Sequence, residues 1–106
     1  MSRFDWNLAE PDPRASILPV LELVAAEAGV EPLELVRRGR SNARVVRARA
    51  VAMYLAREIT DCSLHEIGRA FRRDHTTVLA AHRRVARGPH RAIAREVAAT
   101  AGIVLP

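Results

Sequence analysis

Lysine is absent from this chain of 106 residues, and cysteine occurs once, at Cys62. A single cysteine excludes an intramolecular disulfide and fits a reducing compartment. The four aromatic side chains, Phe4, Trp6, Tyr54 and Phe71, are few for a sandwich core, and no run of alternating β-branched residues is bounded by turn chemistry. No apolar run approaches the roughly 18–20 residues that span a bilayer. The opening MSRFDWNLAEPDP is acidic and proline-bearing, where a secretory leader is basic and then apolar, so a cytoplasmic protein is expected. There is no Gly-x-x-x-x-Gly-Lys-Ser/Thr phosphate loop, which excludes that mode of nucleotide binding. No nucleophile–base pair or paired carboxylates stand at a convincing spacing, so the chain is not expected to be an enzyme.

What is present is an apolar, arginine-rich sequence. Hydrophobic residues make up 49% of it, chiefly Ala, Val, Leu and Ile, which suits packed helices in one small domain. All 17 basic residues are arginine, and the formal charge is +5. Its distribution is uneven. Residues 1–36 hold two Arg against seven acids, whereas residues 37–95 hold fifteen Arg against four acids. A basic block of this kind is the electrostatic footprint of a polyanionic partner.

Hydrophobic spacing predicts an all-α fold. Residues 1–14 have no helical period and read as an irregular acidic tail, in which Phe4, Trp6 and Leu8 alternate as a candidate docking motif for another protein. Residues 15–102 read as the helical domain. Ser16 is expected to cap a first helix reaching Ala28, with Ile17, Val20, Leu21, Val24 and Ala28 inward and Pro19 in its first turn. A short helix over residues 32–38 would bury Leu33 and Val36, and a basic loop, Gly39-Arg40-Ser41-Asn42, follows. The longest helix is expected over residues 44–59, burying Val45, Ala48, Val51, Ala52, Leu55 and Ile59. Residues 89–101 form a last helix with Ile93, Val97 and Ala101 inward.

Residues 63–85, SLHEIGRAFRRDHTTVLAAHRRV, carry the most chemistry. Ser63 and Glu66 have capping-box spacing, and Leu64, Ile67 and Phe71 form an inward face. Gly68 stands mid-helix, where it costs about 1 kcal/mol against Ala and implies a close approach by the following segment. Asp74 is placed to cap a second helix with Val78, Leu79 or His82, and Val85 inward. A helix-turn-helix over about residues 63–87 puts the first residues of the second helix against the major groove.

The stretch from Val51 to Val85 resembles the C-terminal DNA-binding domain of the bacterial replication initiator DnaA. The matching pieces are AMYLAREIT, SLHEIG and RDHTTVL, and the resemblance extends more weakly over about residues 16–95. It implies a bundle of about six helices with a helix-turn-helix (TrpR-like), binding double-stranded DNA at DnaA-box-like sites such as TTATCCACA. It also implies regulation of replication initiation or of nearby transcription, and association with the nucleoid. The base-reading positions would be Arg73, Asp74, His75, Thr76 and Thr77, with Arg40 entering the neighbouring minor groove. Backbone contacts would come from Arg44, Arg47, Arg49, Ser63, His65, Arg72, Arg83, Arg84 and Arg87.

The residue chemistry suits these roles. A guanidinium forks onto guanine, a threonine methyl packs on the thymine methyl, and a narrow A·T-rich groove attracts arginine. The alternative reading is an adaptor that contacts replication-initiation proteins through the acidic N-terminal segment, with DNA affinity secondary. Three departures from the family stand out. FRRDHTT replaces FGGRDHTT, one residue shorter and with Arg72 in place of glycine. Ala48-Arg49-Ala50 replaces PRQ, and Ala80 replaces a histidine. With no phosphate loop, the chain is expected to act as a DNA-binding domain without the initiator's ATPase.

Cys62, His65, His75 and His82 fall within 21 residues. A structural zinc site wants four converging ligands, and His75 belongs to the reading motif, so no metal and no cofactor are expected.

Overall fold

Six consecutive buried residues, 51–56, lie in the middle of the longest helix and decide where the core sits. A helix buried around its whole circumference has to be wrapped by the others. The computed structural model, which describes residues 13–105, shows that wrapping. Helices α1 (Pro13–Ala28), α2 (Pro32–Val36), α3 (Ala43–Ile59), α4 (Leu64–Phe71), α5 (His75–Arg87) and α6 (His90–Thr100) follow in order. The central helix α3 packs against all five others. No strand occurs among the described residues.

Small side chains let the helices approach α3 closely. Ala52, Leu55 and Ala56 are fully buried, and Phe71 from α4 is the largest fully buried side chain. Burying a ring of that size contributes roughly 1.5–3 kcal/mol. The joint between α3 and α5 is polar as well. The Tyr54 and His82 rings stack with centroids 4.9 Å apart, and His82 Nε2 lies 2.9 Å from Glu58 Oε2.

The α3–α4 corner is tied locally. The Thr60 hydroxyl donates to the Ala56 carbonyl and accepts the Cys62 N–H. Buried Cys62 then places its Sγ 3.3 Å from Ser16 Oγ on α1. Three of the later helices start on side-chain caps. Asn42 caps α3 by accepting the Val45 N–H, Ser63 and Glu66 form the full capping box of α4, and Asp74 caps α5 through the Thr76 N–H.

Several expected details differ. The first helix begins at Pro13, so Ser16 is no cap and Pro19 lies well inside it, on the exposed face, where it removes one intrahelical backbone donor. Residues 13 and 14 therefore belong to α1, while Phe4, Trp6 and Leu8 lie outside the described residues. In α2 Leu35 is fully buried and Val36 packs partly against the core as expected, whereas Leu33 is 78% exposed. Packing of this helix on α1 and α3 sets its phase. In α6 the inward face is Ala94, Val97 and Ala98, while Ile93 is 47% exposed and Ala101 is exposed. Close packing on α3 and α5 selects the two alanines at four-residue spacing over the bulkier isoleucine.

Candidate nucleic-acid interface

The turn between α4 and α5 is only Arg72-Arg73-Asp74, and its geometry begins with Gly68. Arg72 takes the left-handed conformation (φ 58°, ψ 40°). Its N–H donates to the Arg69 carbonyl, and the Arg73 N–H donates to the Gly68 carbonyl at 2.8 Å. These two bonds make a Schellman ending, a position where glycine is the usual occupant. The turn folds back so tightly that a Cβ on Gly68 would stand 2.5 Å from the Arg73 carbonyl oxygen. Gly68 thus sets how α5 leaves α4.

The N-terminus of α5 presents Thr76 and Thr77 to solvent, with His75 half-buried beside them. The His75 ring stacks on His65 from α4 with centroids 4.0 Å apart, and its Nδ1 lies 2.9 Å from Asp74 Oδ1. The same Asp74 oxygen accepts the Thr76 N–H. That backbone bond is the main cause holding the Asp74 carboxyl below the usual aspartate range. The Asp74 side chain is nonetheless exposed, so its carboxylate stays accessible to a base edge or water. Ser63 and His65, at the start of α4, are exposed next to this surface.

Two arginines expected to touch DNA have their guanidinium groups bonded within the protein. Arg49 is only 8% exposed. Its Nε donates to the Leu35 carbonyl at 2.8 Å, and its Nη2 donates to the Glu34 carbonyl and the Ser41 hydroxyl. Burial, and then the nearby Arg73 charge, push its guanidinium below the ordinary arginine range. Arg49 is thus a buried strut from α3 to α2 and the loop, where the sequence suggested a surface position.

Arg73 has its fork engaged as well. Nη1 donates to the Phe71 carbonyl at 2.7 Å, and Nη2 donates to the Arg37 carbonyl at 2.9 Å. In this arrangement it does not offer that fork to a guanine. It clips the 37–42 loop to the helix-turn-helix instead.

The other expected residues lie at the surface. Arg40, in the loop, is exposed. Arg44 and Arg47 are exposed on the side of α3 that faces α1 and α6, where they line a cleft of about 260 Å³ with Glu27 and Glu96. Arg83, Arg84 and Arg87 are exposed along α5. Among the described residues no arginine is ion-paired with a carboxylate; the ion pairs there are His75 with Asp74 and His82 with Glu58.

Two basic residues escape the sequence reading. Arg38 from the loop and Arg69 from α4 join Arg72, Arg73 and Asp74 in lining a cleft of about 590 Å³. Arg69 and Arg72 are one helical turn apart, a spacing visible in sequence. Nothing local in the chain brings Arg38 to them.

Cys62, His65, His75 and His82 divide among three places. Cys62 is buried against α1, His82 lies between Tyr54 and Glu58, and the other two histidines stack on each other. Among the described residues no group of three His, Cys, Asp or Glu side chains is arranged to hold a metal ion. No helix among them is long and apolar enough to cross a membrane.

The family model described as the bacterial DnaA protein helix-turn-helix matches residues 17–85. The chromosomal replication initiator protein DnaA of Corynebacterium jeikeium is 46% identical over 82 residues, covering 74% of this chain and 14% of that protein. The protein of the same name from Thermus thermophilus is 48% identical over 77 residues, covering 72% of this chain and 16% of that protein. The chain thus spans about one-seventh of the length of these relatives. The match takes in the capped α4, the turn and most of α5, which are the elements that present the surface residues above. The chain belongs to the bacterial DnaA helix-turn-helix family.

Proposed function

We propose that this domain binds duplex DNA at DnaA-box-like sites and thereby regulates replication initiation or transcription near them. The observation that carries the reading is the exposed Thr76-Thr77 edge of α5, with His75 beside it, projecting from a turn locked by the Gly68 contact and the Asp74 cap. A helix start of this kind fits the major groove, and hydroxyl, methyl and imidazole groups can read base edges there. Asp74 adds its exposed carboxylate as an acceptor for an amino group.

Arg40 extends from the loop toward the neighbouring minor groove, where the negative potential of A·T-rich sequence draws a guanidinium. Ser63, His65, Arg72, Arg83, Arg84 and Arg87 supply backbone contacts around this edge, with Arg44 and Arg47 as outlying ones. Arg73 and Arg49 hold the loop in place for Arg40. No catalytic step is part of this role, and it needs no cofactor.

Binding to a labelled duplex carrying TTATCCACA, measured against a scrambled duplex over a salt series, tests the reading. The expected result is a preference for the box, with affinity falling steeply as salt rises because several phosphates are neutralised. Equal affinity for the two duplexes would refute box recognition. No measurable affinity for either would refute DNA binding.

A further inference from the structure

The cleft between the 37–42 loop and the α4–α5 turn is unlike the rest of the basic surface. Four arginines converge on it, and three of them, Arg38, Arg69 and Arg72, have no side-chain hydrogen bond or ion pair among the described residues. Like charges gathered this way repel one another, and no carboxylate is paired with them. Arg72 is held there in the left-handed region, where a glycine would fit more easily. A backbone outlier kept at a charged position points to a use for the charge.

Duplex geometry suggests the use. On the reading proposed above, the start of α5 enters the major groove and Arg40 enters the adjacent minor groove. One sugar–phosphate strand separates those two grooves. It has to pass between the two protein elements, and the cleft is the space between them. We infer that this cleft seats a phosphodiester of that strand, gripped by Arg38, Arg69 and Arg72 over a floor made by the Arg73 clip. Asp74, the one anion in the same lining, repels the phosphate from the α5 side and leaves it to the arginines. The assignment rests on the DNA-binding reading and adds to it a contact that spans both grooves.

The test uses the whole chain with Arg38→Gln, Arg69→Gln and Arg72→Gly, and with the Arg69→Gln/Arg72→Gly pair. Affinity should fall about three- to tenfold for each single variant, by the same factor on box and scrambled duplexes, because a phosphate contact carries no sequence information. The slope of log affinity against log salt should drop by about 0.9 if the arginines share one phosphate. Duplexes with a single neutral methylphosphonate, scanned along the strand, should reveal one position that weakens the wild type. The same substitution should be silent in the double variant.

Arg72→Gly gives the backbone its preferred residue, so lost affinity without a lower Tm is not unfolding. Unchanged affinity and slope in these variants, with the wild type still binding, would overturn the cleft assignment alone. A wild type that binds no duplex would overturn the functional reading and the assignment together. Saturable binding of inorganic phosphate that persists in the duplex complex would overturn it in favour of a small-anion site.

Discussion

Replacing Gly68 by alanine sets two effects of known sign against each other. Helix propensity favours the alanine by about 1 kcal/mol, since Gly68 lies inside α4. Packing opposes it. The added Cβ would stand 2.5 Å from the Arg73 carbonyl oxygen, 3.3 Å from the His75 nitrogen and 3.4 Å from the Asp74 carbonyl carbon, all backbone atoms. Restoring an ordinary contact means moving the turn by about an ångström. That movement is resisted by the 2.8 Å bond from the Arg73 N–H to the Gly68 carbonyl and by the two bonds of the Arg73 guanidinium.

Overpacking a fixed site costs about 1–3 kcal/mol, and losing the Schellman bond about 0.5–1.5 kcal/mol more. After the propensity gain, Gly68→Ala should be destabilised by about 2 kcal/mol. For a domain of this size that is a fall in Tm on the order of 10 °C. Thermal and urea unfolding followed by far-UV circular dichroism measure it directly. Duplex affinity, taken well below the transition, should also fall, because the start of α5 is re-aimed relative to α4. A variant as stable as the wild type, or more so, would show that the turn yields freely and would refute the claim that Gly68 sets the α4–α5 geometry.

Arg49→Ala should lower stability by about 2–4 kcal/mol in urea titration, because it strands the Leu35 and Glu34 carbonyls; a surface phosphate contact would leave stability within about 0.5 kcal/mol. Arg73→Ala should cost about 1 kcal/mol of stability and weaken box and scrambled duplexes alike; a loss confined to one or two base pairs would restore Arg73 as a base reader. The folded-state pKa of Asp74 is depressed, so its contribution to stability is complete above the ordinary aspartate value of about 3.9 and is lost as pH falls below it. Asp74→Asn keeps a cap but does not titrate, so its urea midpoint should fall less steeply than the wild type's between about pH 5 and 2.5, and matching slopes would refute the assignment. Deleting residues 1–12 should leave duplex affinity unchanged in a direct binding assay; lost affinity would tie the acidic segment to the DNA site.

Local chemistry was legible before any coordinates. The Ser63–Glu66 box, the Asp74 cap and the close approach at Gly68 all follow from residues a few positions apart, whose interactions the chain itself enforces. Helix phase was less legible where a neighbour decides it. Leu33 and Leu35 are both plausible inward residues of a one-turn helix until α1 and α3 set its rotation. Ile93 looks like core until the spacing to α3 favours Ala94. The roles of Arg49 and Arg73 were out of reach for a different reason. Their partners are carbonyls 14–15 and 36 residues away, and a carbonyl leaves no mark in a sequence. Nothing but the three-dimensional path of the 37–42 loop separates a buried strut from a surface arginine.

That the clip and the strut fasten largely onto main-chain oxygens has an evolutionary consequence. Every residue type carries the same carbonyl, so the grip of Arg49 on positions 34 and 35, and of Arg73 on position 37, is blind to the side chains there. Loop positions such as 38 and 40 can exchange their side chains, and with them the groove chemistry they offer, while Ser41, which accepts from Arg49, and Asn42, which caps the central helix, are tied to the scaffold. Target preference at the loop can therefore drift by single substitutions that leave the scaffold untouched. At Gly68 the opposite holds, since only one residue type fits.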